Sequence, residues 1–160
     1  MISKIKNWEF GALNIYNFNK PGSLKYYFDF VKENHNKLDG DIVECGVFQG
    51  KSLISMGLML KKLNSKKIIY GFDSFSGFPP VYHHNDDLSK FDDLFKNNCI
   101  SQEHYDDIQH NKKIRSLIST NLNAQNISNS GDFSNTSKIQ IEKKYEFLGL
   151  DNIKLIAGSF

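Results

Sequence analysis

The sequence has no long hydrophobic run and almost no net charge. No apolar stretch approaches the roughly 20 residues that cross a bilayer, and the first ten residues, MISKIKNWEF, lack the apolar centre of a secretion signal. A net charge of +2 provides no basic field to attract nucleic acid. These absences predict a protein that binds neither membranes nor nucleic acids.

Cysteine is also scarce. The 160 residues include two, Cys45 and Cys99, and no C-x-x-C pair. This usage predicts reduced thiols and a cytoplasmic location. With 39% apolar and 24% charged residues, the composition is that of a globular protein, and the length suits one domain rather than two.

A strand–helix–strand pattern occupies the first half of the chain. Residues 41–47, DIVECGV, predict a short buried strand because they are almost continuously apolar. Residues 50–63 predict a helix, and residues 66–73 predict a second strand that ends at Asp73. This is the βαβ unit of a parallel sheet.

A second helix–strand pair lies at the end of the chain. Residues 137–150 predict a helix, with Ser137 or Thr136 as its N-cap and Gly149 at its C-terminal stop. Residues 152–160 predict a third strand. Right-handed crossovers then place the strands in the spatial order 3-2-1, which is the first half of a doubly wound α/β fold.

Two stretches lie outside this pattern. Near the N-terminus, residues 24–37 predict a helix with Ser23 as its N-cap. After the second strand the composition becomes rich in Asn, Asp, Ser and His, which predicts a polar, partly helical insertion. The expected organisation is a single incomplete Rossmann-like domain over residues 1–160: an N-terminal helical segment (1–39), a βαβ unit with cofactor motifs (40–80), the insertion (81–135), and a helix with the third strand (136–160).

The turn after the first strand, ECGVFQGKS, narrows the choice of cofactor. A phosphate-binding loop requires G-x-x-x-x-G-K-[ST], but three residues rather than four separate Gly46 from Gly50. Glu44 at the strand tip would also repel a triphosphate. A dinucleotide fingerprint requires a middle glycine where the backbone approaches the pyrophosphate, and Phe48 occupies that place. Both classes are therefore disfavoured.

The remaining pattern, E-x-G-x-x-x-G with an acid at the end of the second strand, suits S-adenosylmethionine. Glu44 can accept the α-amino group of this cofactor, and Asp73 can accept its two ribose hydroxyls. Gly46 and Gly50 let the backbone turn closely beneath the ligand, and the following helix directs its N-terminus toward the methionine carboxylate. The same pattern also fits a tight strand–helix turn that binds no ligand.

Together the two motifs resemble the macrocin O-methyltransferase (TylF-like) family of class I methyltransferases. Residues 40–52 match the first motif of that family, G-D-x-V-E-x-G-V-x-x-G-x-S. Residues 73–79 match the second, D-S-F-x-G-L-P, with Phe78 in place of leucine. The resemblance covers residues 38–80 and 131–160.

The resemblance implies S-adenosylmethionine-dependent O-methylation, commonly of a hydroxyl on a sugar or related natural product, with Mg²⁺. It implies a Rossmann-like class I methyltransferase fold, of which this chain has the first half. The base and the metal ligands are expected downstream of the third strand, so no catalytic or metal-binding residue is predicted within the chain. The candidate cofactor-binding residues are Glu44, Gly46, Val47, Phe48, Gly50, Ser52, Asp73, Ser74, Phe75 and Ser159.

The expected partner is a small-molecule hydroxyl acceptor. In a complete sheet the first strand would be central, so its free edge predicts a homo-oligomer or association with a missing C-terminal half. Such a chain is also expected to transfer no methyl group by itself. The alternative is a non-catalytic adenosyl-ligand-binding or interaction module.

Overall fold

A computed structural model describes residues 5–78, 87–118, 120, 122 and 133–159. The chain forms two compact units, one from residues 1–75 and 135–160 and the other from residues 76–134. The elements are α1 (Asn7–Ala12), α2 (Lys25–Asn34), β1 (Ile42–Cys45), α3 (Lys51–Lys62), β2 (Ile69–Asp73), α4 (Lys90–Lys96), α5 (Gln102–Ser116), α6 (Lys138–Phe147) and β3 (Ile153–Ala157).

The first unit is built on a parallel three-stranded sheet. The strands lie in the order β1-β2-β3, with Ile42 of β1 opposite Ile69 of β2, and Ile69 opposite Ile153 of β3. The predicted spatial order is therefore confirmed. The unit is a mixed α/β structure that is compatible with part of a Rossmann-like fold.

Helix α3 packs closely on one face of the sheet. Its central residues, from Leu53 to Leu60, are all buried. Two glycines permit this approach: a Cβ on Gly71 of β2 would lie 2.7 Å from Leu53 Cδ1, and one on Gly57 of α3 would lie 2.7 Å from Ile153 Cδ1. This close contact between helix and sheet fixes α3 against β2 and β3.

The opposite face of the sheet, which we call the open face, has several exposed side chains among the described residues. Val43 is 60% exposed, Ile156 is 41% exposed and Cys45 is also exposed. The prediction that residues 41–47 form a buried strand is wrong for this face. Successive strand residues point to opposite sides, and in the described residues only the side of β1 that faces α3 is covered.

Capping residues decide where the helices begin. Helix α2 begins after Leu24, not after Ser23, because Lys25 N–H donates to Gly22 O and places Ser23 within a turn. Ser137 caps α6 as predicted: its hydroxyl accepts from Gln140 N–H. None of the helices in the described ranges is long and apolar enough to cross a membrane.

The described residues of the second unit contain two helices, in the stretch that was predicted to be partly helical. The structure places them at α4 and α5. The Tyr105 ring stacks on the Phe95 ring with centroids 4.4 Å apart, and the Tyr105 hydroxyl donates to Asp92 Oδ1 at 2.8 Å. An aromatic pair and the side-chain hydrogen bonds that Tyr105 and Gln109 donate to Asp92 thus connect the two helices.

Candidate functional site

The turn between β1 and α3 takes its shape from two glycines with positive φ. Gly46 has φ +85° and Gly50 has φ +74°, values that a residue with a Cβ rarely adopts. A Cβ on Gly46 would meet no atom within 4 Å, whereas one on Gly50 would lie 2.9 Å from Ile141 Cγ2. Gly46 is therefore required for backbone conformation alone, and Gly50 also for the packing of α6.

Asp73 is held rigidly where β2 ends. Its Oδ2 accepts from Phe48 N–H at 2.8 Å, and its Oδ1 accepts from Phe75 N–H at 2.6 Å. Phe48 and Phe75 both adopt positive φ, +50° and +54°. A carboxylate offers about four lone-pair positions, so each Asp73 oxygen keeps acceptor capacity after these two bonds.

The end of β3 lies beside Asp73. Gly158 N–H donates to Asp73 O at 3.0 Å, which continues the pairing of the two strands beyond Ala157. Ser159 follows directly and is exposed. The structure thus places Ser159 near the tip of β2, as its candidate role requires.

Glu44 lies under the start of α3. Ser52 Oγ donates to Glu44 Oε1 at 2.8 Å. Burial raises the pKa of Glu44 to about 6, although the Ser52 hydrogen bond opposes this rise. Burial also raises the pKa of Tyr27 in α2 to about 12, and the negative charge of Glu44 adds to that increase. Glu44 is therefore a carboxyl group whose pKa of about 6 lies above the usual range for a glutamate.

The structure brings the candidate residues into two groups at the carboxyl ends of β1 and β2. Glu44 and Ser52 form one, and Asp73, Phe48 and Phe75 form the other. The remaining candidates lie around them. Among them, the Val47 side chain is buried in the core and Ser74 is half-buried. Phe75, in the second group, packs against the core.

The sequence did not predict the polar contacts that join the turn between β1 and α3, the loop after β1, to distant parts of the chain. Thr136 Oγ1 donates to Phe48 O, and Gln49 Nε2 donates to Asn135 O at 3.0 Å. Gln49 Oε1 in turn accepts from Asn14 Nδ2 at 3.0 Å. These partners lie 35 to 88 residues apart in the sequence. The one available signal was Thr136, since two adjacent hydroxyl residues precede α6 and only Ser137 is needed as its cap.

A wide depression of about 460 Å³ lies outside this site, at the amino ends of the strands. It is lined by polar residues that include His35, Asp41 and Lys67. Lys67 Nζ already donates to Leu38 O and Gly40 O. Within the ranges that the structure describes, no three His, Cys, Asp or Glu side chains come together as a metal site.

The sheet, the glycine turn and the acid at the tip of β2 are those of a mixed α/β protein and are compatible with part of a Rossmann-like fold. Comparison with known families gives the class of enzyme. The chain belongs to the Macrocin-O-methyltransferase (TylF) family, whose profile matches residues 24–151. The resemblance seen in the two motifs is thereby confirmed, and the chain is placed in a methyltransferase family. No curated protein sequence matches the chain significantly.

Proposed function

We propose that this chain is the cofactor-binding part of an S-adenosylmethionine-dependent O-methyltransferase. The proposed fold is the first half of the class I methyltransferase fold, and the proposed acceptor is a hydroxyl of a sugar or natural-product-like small molecule. One observation carries the proposal: two backbone N–H groups fix the Asp73 carboxylate beside the Gly46 turn. A fixed acceptor at the tip of β2 suits the two neighbouring hydroxyls of a ribose.

Each proposed contact uses a group that the structure holds in place. Asp73 accepts the ribose hydroxyls, and the ionised Glu44 accepts the α-ammonium of the methionine moiety. The exposed Gly46 leaves open space beside the turn, where a Cβ would meet nothing within 4 Å. The N-terminus of α3 attracts the methionine carboxylate.

When bound, S-adenosylmethionine supplies an electrophilic methyl group on a sulfonium. Transfer to a hydroxyl oxygen is an in-line displacement, which requires alignment of donor and acceptor and removal of the hydroxyl proton. The described residues serve the alignment of the donor. Mg²⁺ enters the proposal only through the family resemblance. Because the described residues form no metal site, we assign no step to a metal.

Ligand ranking tests the proposal. We expect calorimetry on the full chain to show binding of S-adenosylhomocysteine, the demethylated form of the cofactor. ATP should bind at least about tenfold more weakly, because its phosphates meet Glu44 and lack a phosphate cradle. Tighter binding of ATP than of S-adenosylhomocysteine would favour a phosphate-binding loop instead. Binding of neither ligand would favour an interaction module.

Partners and location form a second part of the proposal. The exposed apolar residues of the open sheet face support self-association or pairing with further polypeptide, as does the edge of β1, which pairs only with β2 among the described strands. The free cysteines Cys45 and Cys99 support a reducing, cytoplasmic location.

We expect light scattering after size exclusion to show oligomers of the chain. Val43→Lys should shift the population toward the monomer, because it places a charge on the open face. Tyr26→Lys replaces another exposed apolar side chain, on α2, and should not shift it. A wild-type chain that is monomeric at all concentrations would contradict self-association.

A further inference from the structure

Phe48 is a strained residue that two hydrogen bonds hold. Its φ of +50° lies in the left-handed region, which is unfavourable for a residue with a Cβ. On one side of the residue, Phe48 N–H donates to Asp73 Oδ2. On the other side, Phe48 O accepts from Thr136 Oγ1. A conformation of this kind persists where its surroundings fix it at more than one point.

A short segment, residues 135–137, supplies the hydrogen-bond partners that fix the loop after β1. We call it the return segment, because it brings the chain back into the first unit. Besides the Thr136 bond, Asn135 O accepts from Gln49 Nε2 at 3.0 Å. Two adjacent residues of the loop, Phe48 and Gln49, are therefore tied to two adjacent residues of the return segment.

The return segment is itself anchored. Ser137 caps α6, and Ile141 one turn later is 1% exposed and packs against Gly50 at the end of the same loop. Lys144 Nζ lies 3.5 Å from Gln49 O as a further donor from α6. The Thr136 hydroxyl therefore lies next to the start of α6, which the Ser137 cap and the packing of Ile141 fix in place.

We propose that Thr136 is a positioning residue for the adenosyl cofactor. Its hydroxyl fixes the carbonyl of Phe48, which keeps the N–H of Phe48 on Asp73 Oδ2. The carboxylate of Asp73 is then set in advance to meet the two ribose hydroxyls. Thr136 does not touch the ligand, and its effect passes through Phe48 and Asp73. This inference rests on the proposed function.

Three variants separate this role from general stability. Thr136→Val removes the hydroxyl and keeps the shape, and Thr136→Ser keeps the hydroxyl. Ser137→Ala removes the cap of α6 next door and leaves the bond to Phe48 in place. We expect calorimetry with S-adenosylhomocysteine to show about 3- to 10-fold weaker binding for Thr136→Val, as for one lost neutral hydrogen bond. Thr136→Ser and Ser137→Ala should stay within about twofold of wild type.

A double-mutant cycle tests the route of the effect. In the Asp73→Ala background, Thr136→Val should cause no further loss of affinity, because the group through which it acts is gone. Amide hydrogen exchange without ligand gives a second readout. The Phe48 amide should exchange faster in Thr136→Val than in wild type or Ser137→Ala.

Unchanged affinity in Thr136→Val, or a loss that simply adds to that of Asp73→Ala, would overturn the positioning role. A wild-type chain that binds no S-adenosylhomocysteine would overturn the proposed function, and with it the role of Thr136 toward the cofactor. The two failures differ in the wild-type measurement. The exchange rate of the Phe48 amide tests the hold on the loop in either case.

Discussion

Asp73→Ala should weaken the binding of S-adenosylhomocysteine about 10- to 100-fold. The carboxylate is the proposed acceptor for both ribose hydroxyls, and hydrogen bonds to a charged group contribute about 1.5–3 kcal/mol. The same change leaves the N–H groups of Phe48 and Phe75 without their acceptor. Both residues have positive φ, so the loop should lose order as well. Calorimetry measures the affinity, and a denaturant melt measures the loss of stability.

Asp41→Ala is the matched control for this change. Asp41 lies at the amino end of β1, where its Oδ1 accepts from Ile68 N–H at 2.9 Å. Its loss also removes an aspartate that binds a backbone N–H between neighbouring strands, but at the opposite end of the sheet. We expect a lower stability and an unchanged affinity. Equal affinity in Asp73→Ala and wild type would remove Asp73 from the ribose role.

The second large effect is a pH dependence that comes from Glu44. Burial raises the pKa of this carboxyl to about 6 in the free chain, and only the ionised form attracts the ligand's α-ammonium. Affinity for S-adenosylhomocysteine should therefore rise with pH between 5 and 7, by up to about tenfold per unit below pH 6. Glu44→Gln should bind about 10- to 100-fold more weakly at pH 7 and show no such rise.

A ligand control isolates the interaction. 5′-Methylthioadenosine has the ribose and adenine but lacks the α-ammonium group, so its affinity should not change with pH and should be equal in wild type and Glu44→Gln. If both ligands show the same pH profile, Glu44 does not bind the ammonium. Calorimetry at several pH values in one salt concentration separates these outcomes.

The stability of the free chain should change in the opposite direction. A carboxyl whose pKa is higher in the folded chain than in the unfolded chain stabilises the fold when protonated. That contribution is complete below about pH 4.5 and is lost as pH rises through about 6. The loss is about 2 kcal/mol. Denaturant melts of wild type and Glu44→Gln should differ in their pH dependence by this amount, since the other titrating groups are common to both.

The sequence indicated the glycine turn and Asp73 because the signals for these residues are local. Gly46 and Gly50 lie within one short motif, and their positive φ follows from the turn that joins a strand to a helix. Asp73 ends a strand pattern, and parallel strands bring their carboxyl ends to one edge. The order of the strands follows from crossover handedness.

The contacts between the loop after β1 and the return segment were not predictable in the same way. Thr136 binds Phe48, which lies 88 residues away along the chain, and Gln49 binds Asn135, which lies 86 residues away. No local pattern specifies such a partner. The exposure of Val43 was unpredictable for a similar reason. Both faces of β1 carry apolar residues, and the burial of each face depends on which other elements of the fold cover it.

Both junctions of the first unit with residues 76–134 are attached at the tips of β1 and β2, and this has a consequence for the chain between them. The chain leaves the first unit after Phe75, whose N–H binds Asp73 at the end of β2, and it returns at Asn135 and Thr136, which bind the loop after β1. The two ends of the intervening polypeptide are therefore close together whatever its length. Each doubling of such a closed excursion costs only about 0.6 kcal/mol of chain entropy. Residues 76–134 thus occupy a position where length and composition can change greatly while the strand tips and their hydrogen bonds stay as they are.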